Sequence, residues 1–525
     1  HVHATAADSI NLTEISGALN VGQIHASAGD VILSVRDSLA SGEDLLMDAA
    51  ADITAGDTIL LQAGDNVALD AGSTVVAGTR ITLHSGTGDT GNVDAVGTTI
   101  TIENTLDAVA IEIAGERQDD VITLRPTLIV GHTRVLGDTD GLAGGDDLII
   151  VDRMSTMQTT HDRLDDAISA QVRDTVDLDG RGGTDTYVVY THGSDAVGTH
   201  DYILNVLDSG AKNDGLDTLN IDGTAADDIF LLRKVAALVE GQSTPMSDND
   251  PAFVALLHGT LDQVRDPNAA NRRQDVERIN YDENINSRLV VRGLSGDDYF
   301  ASDDNSAITT LDGGAGADEF QIGQIYGSPR ISIPAGSDPA SVADGDAFDT
   351  IETTAGFLSR GASVGITAYG GTGNDKFTVY SNKAELRLEG NDDNDEFVIR
   401  AFALVGQDGV STEGDTEALG GSGDDVILYN VNAPVDLDGG AGFDKVVVIG
   451  TEFNDNFAIS DEGVFGAGLN VKYDNIEAVD VDGLEGDDHF FVQSTKAGVI
   501  TTIIGGNGSD TFDVAGDVTE PIVSM

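Results

Sequence analysis

After residue 110 an aspartate stands five residues beyond a glycine thirteen times, at Asp120, Asp146, Asp185, Asp228, Asp298, Asp318, Asp375, Asp395, Asp425, Asp444, Asp455, Asp488 and Asp510. Two positions past that aspartate the residue is always apolar, as at Ile122, Leu148, Tyr187, Phe320, Phe377 and Phe490. A second glycine, three residues after the first, is replaced in four copies by Gln118, Ala226, Asp393 and Phe453. The chemistry this set can perform is capture of a hard cation. Calcium takes about six to eight oxygens, and many of them can be backbone carbonyls. Glycine lets successive carbonyls converge without a side-chain clash, and aspartate adds the anionic ligand.

One such turn offers only about three oxygens, so a matching turn directly above or below must complete the shell. Parallel strands repeat every ~4.8 Å. Two carboxylates at that spacing repel by roughly 3.5 kcal/mol at an effective dielectric of 20, which a cation between them would offset. The sites expected are those between copies about one coil apart: Asp298 with Asp318, Asp375 with Asp395, Asp425 with Asp444, and Asp488 with Asp510. Asp146, Asp185 and Asp228 are further ligand candidates, and Gly313, Gly370, Gly390, Gly483 and Gly505 are the glycines that open the turns. For any single copy, an aspartate that merely caps a turn stays open. Asp177-Leu178-Asp179-Gly180 and Asp480-Val481-Asp482-Gly483 begin like helical calcium loops, but the later ligands of such a loop do not follow.

The elements that must position these turns are short. In the first hundred residues Ala55-Gly56-Asp57, Ala63-Gly64-Asp65, Ala71-Gly72-Ser73 and Ala77-Gly78-Thr79 alternate with apolar runs such as Thr58-Ile59-Leu60-Leu61 and Arg80-Ile81-Thr82-Leu83. Strands of three to five residues with so little between them leave no room for crossover helices, so a chain coiling on itself is the economical way to bury their apolar side. An antiparallel sandwich with similar turns stays open for this stretch. Residues 20–105 resemble the filamentous-haemagglutinin type of right-handed parallel β-helix.

The later units resemble the haemolysin-type calcium-binding nonapeptide of the repeats-in-toxin (RTX) family, most closely at Gly313-Gly314-Ala315-Gly316-Ala317-Asp318-Glu319-Phe320, Gly370-Gly371-Thr372-Gly373-Asn374-Asp375-Lys376-Phe377 and Gly505-Gly506-Asn507-Gly508-Ser509-Asp510-Thr511-Phe512. In that family the repeats run head to tail. Here neighbouring copies are mostly 19 to 22 residues apart or more, which implies one motif per coil. The expected fold is all-β: an elongated right-handed parallel β-solenoid (β-helix or β-roll), with a mostly loop insertion carrying a short helix. Four segments are expected: a metal-free haemagglutinin-like β-helix over 1–108, an RTX-like solenoid over 109–230, the insertion over 231–289, and an RTX-like calcium-binding solenoid over 290–525. Pro251 to Leu261 has helical spacing and Pro at a plausible first turn. The proline-bearing stretch 327–363 is expected to be a surface excursion.

Charge narrows the partners. Lys and Arg total 27 against 91 Asp and Glu, a formal net charge of −64, which opposes binding to phosphate backbones and excludes a nucleic-acid partner. With 40% hydrophobic residues in short β-branched and aromatic runs, the chain is expected to fold, given cations to offset its self-repulsion. No run approaches the roughly 20 apolar residues of a membrane-spanning helix. Cysteine is absent, which rules out disulfides and thiolate metal sites. The start at His1-Val2-His3 reads as a piece of something longer.

Ten histidines appear scattered singly, as surface or turn residues, and neither a serine-nucleophile elbow nor a phosphate loop is present. A β-helical enzyme acting on acidic polysaccharide, or its accessory domain, is the alternative. It would need a basic groove, for which 27 dispersed cations are poor material. The aromatic residues after each aspartate are expected to stack in the core. The resemblance implies a non-enzymatic structural or adhesive segment, secreted or on the cell surface of a Gram-negative bacterium. Its implied partners are calcium ions and either further copies of itself or a cell or extracellular surface.

Overall fold

The computed structural model describes residues 1–86, 96–139, 144–154, 175–211, 214–235, 251–265, 275–330, 348–400, 416–430, 435–466 and 469–515. The protein is all-β, with strands paired mostly in parallel. The described residues form two compact units, one of residues 1–223 and 235–290, the other of 224–234, 291–330 and 348–515.

In the first unit most strands pair in parallel with one about a coil further along the chain, the pairing of a solenoid-like fold. Val31–Val35 pairs in parallel with Thr58–Gln62, and that strand with Arg80–His84. Alternating burial shows why: Ile59 and Leu61 point inward while Thr58, Leu60 and Gln62 stay partly exposed, the period of two that a half-covered sheet imposes. The small-residue turns stack as well. Gly78 donates its N–H to Ala55 O and Thr79 to Asp57 O, at 3.2 and 3.0 Å.

In the second unit one series of parallel pairs runs from Ile229–Lys234 through Tyr299–Ser302, Glu319–Ile322, Lys376–Val379, Glu396–Ile399 and Val426–Asn430 to Lys445–Ile449. Its register places Phe230, Phe300, Phe320, Phe377 and Phe397 directly over one another, with ring centroids 4.8 to 5.3 Å apart and nearly parallel planes. All five are fully buried. These five apolar positions of the repeat therefore form a core stack, as their spacing predicts.

Two sequence-based expectations need correction. Ala252–Leu257 is a strand, not a helix; it pairs antiparallel with Val276–Tyr281. Ala252 to Leu256 are all buried, so both faces are covered, and a strand covered on both sides carries no alternation to distinguish it from a helical run. Among the described residues the only helix is Leu261–Arg265. The segment 231–289 is also not wholly an insertion, because Val276–Tyr281 continues the parallel series by pairing with Tyr202–Val206. In 327–363, Ile351–Thr353 and Gly356–Leu358 form a hairpin that pairs with Ile325–Tyr326 as a separate three-stranded sheet.

Candidate metal centre

The repeat aspartates line up one per coil. In the second unit the backbone N–H of each donates to the Oδ1 of the next: Asp228 to Asp298, then Asp318, Asp375, Asp395, Asp425 and Asp444, at 2.6 to 2.8 Å. The four predicted pairs are neighbours, but so are Asp318 with Asp375, 57 residues apart, and Asp395 with Asp425. Chain distance misleads because loops are spun out between coils while the register is kept. Glu477 takes the next place after Asp444. Asp455, Asp488 and Asp510 form a second row, so the later motifs do not all share one corner.

The first unit has its own row, running from Asp120 through Asp147 and Asp185 to Asp217 and ending on the neutral Asn286. Asp146 is not in it. Ile149, not Leu148, fills the core beside Ile122, so the copy is shifted by one residue and Asp147 holds the rung. Its first glycine, Gly141, lies outside the described residues. Asp146 belongs instead to an outer row, where hydrogen bonds run the other way: Asp146 N–H to Asp119, Thr184 N–H to Asp146. Asp297, Asn394, Asp424 and Asp487 repeat this outer pattern in the second unit. Asp147, Asp217 and Glu477 were missed because no glycine stands five residues before Asp217 or Glu477, and the doublet Asp146-Asp147 hid the shift.

The first glycine of each motif is there for space. A Cβ on Gly313, Gly370, Gly390 or Gly483 would overlap Oδ2 of its own aspartate and lie 2.8, 2.8, 2.5 and 2.8 Å from the carbonyl oxygen of the corresponding residue one coil on. A carboxylate oxygen and a carbonyl oxygen thus converge on the face of one glycine. The next two glycines serve conformation: Gly314 and Gly316 have φ of 98° and 147°. Where the pattern lapses in the Gly390 copy, Asn391 and Asp393 take φ of 78° and 79°, a region Asn and Asp tolerate better than other side chains. That loop keeps the shape of its neighbours.

The result is a line of buried oxygens lacking donors. Oδ2 of Asp298, Asp318, Asp375, Asp395, Asp425, Asp444 and Asp488, and of Asp147, Asp185 and Asp217 in the first unit, is buried without a hydrogen-bond partner. No lysine or arginine among the described residues pairs with them. Burial, with the charges of neighbouring aspartates, pushes the carboxyls of Asp298 and Asp395 up to about 8, Asp375 to about 7, and Asp318 and Asp425 to about 6. Buried carboxylates of this kind must be neutralised by a proton or a cation. The donor set, all hard oxygen from carboxylates and carbonyls, fits calcium.

Three rungs are built differently. Thr451 N–H and Oγ1 bond Asp455 Oδ2 at 2.7 and 3.0 Å, Thr224 does the same to Asp228, and Glu116 N–H bonds Asp120 Oδ2 at 2.7 Å. These copies carry Phe453, Ala226 and Gln118 in place of the second glycine. Their carboxylates are closed by their own loops.

Comparison with known protein families, curated proteins and solved structures finds no match to this chain.

The histidines are not all dispersed. His192, His200 and His258 gather in the first unit, with the first two rings stacked at 3.9 Å. His258 Nε2 lies 3.1 Å from Oε1 of buried Glu277, which also accepts from Tyr202 Oη at 2.6 Å and from the His192 N–H. Burial alone would raise the Glu277 carboxyl; the contacts from His192, His258 and Tyr202 outweigh it and hold the group down at about 2. The cluster was not legible because its members are up to 85 residues apart.

Proposed function

We propose that this chain is a calcium-stabilised structural and adhesive segment of a secreted or surface-exposed protein, its coils wound as a right-handed parallel solenoid like those of the repeats-in-toxin proteins it resembles. The observation that carries the reading is the series of buried aspartate Oδ2 atoms with neither donor nor counter-charge. Asp298, Asp318, Asp375, Asp395, Asp425, Asp444 and Asp488 would hold the ions, with glycine carbonyls of the adjoining coil beside them. Calcium there would supply charge neutralisation and nothing more. The chain's own residues do the rest: the N–H to Oδ1 bonds set the register, the first glycines admit the carboxylates, and the phenylalanine stack buries the apolar side.

Ligand binding to the folded state alone stabilises it by mass action. Scarce calcium inside a cell would leave such a chain unfolded for export, and abundant calcium outside would fold it. A surface, or other copies of the chain, would then be its partners. Calcium titration of the chelator-treated chain, followed by circular dichroism with elemental analysis, tests the reading. A cooperative gain of β-structure at submillimolar to millimolar calcium is expected. Full order in excess chelator, with no calcium in the purified protein, would sink it.

A further inference from the structure

One corner of the first unit departs from the repeat in a way that adds ligands. Register carried on from Leu178 opposite Val206 sets Asp208 against Gly180, where the repeat requires glycine. Asp208 is buried, with φ of 40°. From there the loop takes nine residues to reach the rung at Asp217, against five from Gly180 to Asp185. A partly open cavity of about 90 Å³ lies here, lined by Asp208, Asp214, Asp217, Glu283, Asn284 and Asn286, among other residues.

One carboxylate oxygen from each of Asp185, Asp208 and Asp217 lies within 4.8 Å of the others. Asp185 and Asp217 are each 1% exposed, and the Oδ2 of each has no hydrogen-bond partner. Their Oδ1 atoms are already used by the Asp147 and Asp185 N–H groups. A tyrosine also reaches the cluster: the Tyr187 hydroxyl is 3.4 Å from Asp208 Oδ1. Three carboxylates packed together without a cation would repel strongly.

We infer that Asp185, Asp208 and Asp217 form a discrete divalent-cation site, suited to calcium, which draws further oxygens from the cavity wall. An all-oxygen site of irregular shape favours calcium over magnesium, which demands near-ideal octahedral geometry. Asp185 and Asp217 also stand in the first unit's row, so the site rests in part on the reading of its bare oxygens, but the rows of the second unit could hold no ion at all and this corner would keep its ligands.

Terbium is the probe. The chain has no tryptophan, so sensitised emission must come from tyrosine, and Tyr187 is in contact with the cluster. The wild-type chain should show tyrosine-sensitised terbium emission that calcium displaces. D208N/D217N should lose most of that emission and one equivalent of calcium by calorimetry. Y187F carries the test independently of any effect of the charge changes on folding: it should dim the emission while retaining the calcium equivalent. Unchanged stoichiometry and emission in D208N/D217N, or undiminished emission in Y187F, would overturn the site.

Discussion

The repeat loops come in two kinds, and their difference locates the cation chemistry. In the closed loops at Asp120, Asp228 and Asp455 the residue after the first glycine turns its N–H onto the aspartate, so Oδ2 is bonded within its own loop. In the open loops that N–H lies in a backbone of positive φ stacked on the next coil, as Gly314 is on Gly371. The aspartate is left with one oxygen bonded and one bare. A positive φ at that residue, taken by Gly314, Gly371, Gly421 and Gly440 but also by Leu294, Asn391 and Leu484, therefore takes a donor away from the carboxylate and leaves that oxygen for something else. Among the described residues each closed loop also begins its row of hydrogen-bonded aspartates.

The largest test of this contrast acts on all open rungs together. Folding raises these carboxyls from about 3.8 to between about 6 and 8 in the second unit, so the folded chain retains protons that the unfolded chain releases. In chelator the folded fraction should thus be highest at the acid end and fall as pH rises through 6 to 8. Calcium should flatten or reverse that slope, because it competes with the proton for the same oxygens. A folded fraction independent of pH over this window in chelator would break the comparison.

Next in size is a methyl group at the first glycine. G370A places a Cβ onto Asp375 Oδ2 and 2.8 Å from Gly390 O, and should cost about 3 kcal/mol. G450A, in a closed loop, meets its nearest atoms only at 2.9 Å and should cost about 1 kcal/mol. Urea denaturation at saturating calcium measures both.

The smallest effect is the sharpest, because its sign differs. D455N sets an amide N–H₂ against the Thr451 N–H or leaves that donor unmet, and should destabilise by about 1–2 kcal/mol with or without calcium. D375N removes one charge from a crowded open row and should stabilise the metal-free chain by about 1 kcal/mol. With calcium present the same substitution should destabilise. Equal effects of the two variants in chelator would erase the distinction between loop kinds.

Much of this was legible in the residues. The all-β class, the one-motif-per-coil spacing and the buried phenylalanine stack follow from periods of two and about twenty that survive in any folded context. Pair assignment was legible only where nothing intervened: Asp375 with Asp395 could be read off, whereas Asp318 with Asp375 could not, because a loop of any length may leave and rejoin a coil at the same register. The strand at Ala252–Leu257 was misread since burial on both faces erases alternation. Asp217 and Asp208 carry no motif of their own.

By itself the sequence determined which side chains would face the core and that an acid would recur at every corner, since alternation along a strand and glycine's freedom at turns are local properties. Only the tertiary structure decided which oxygen of each carboxylate is bonded and which is bare, and that Asp185, Asp208 and Asp217 meet. Those outcomes depend on what lies one coil away, at distances of 20 to 70 residues in the chain that no local rule encodes.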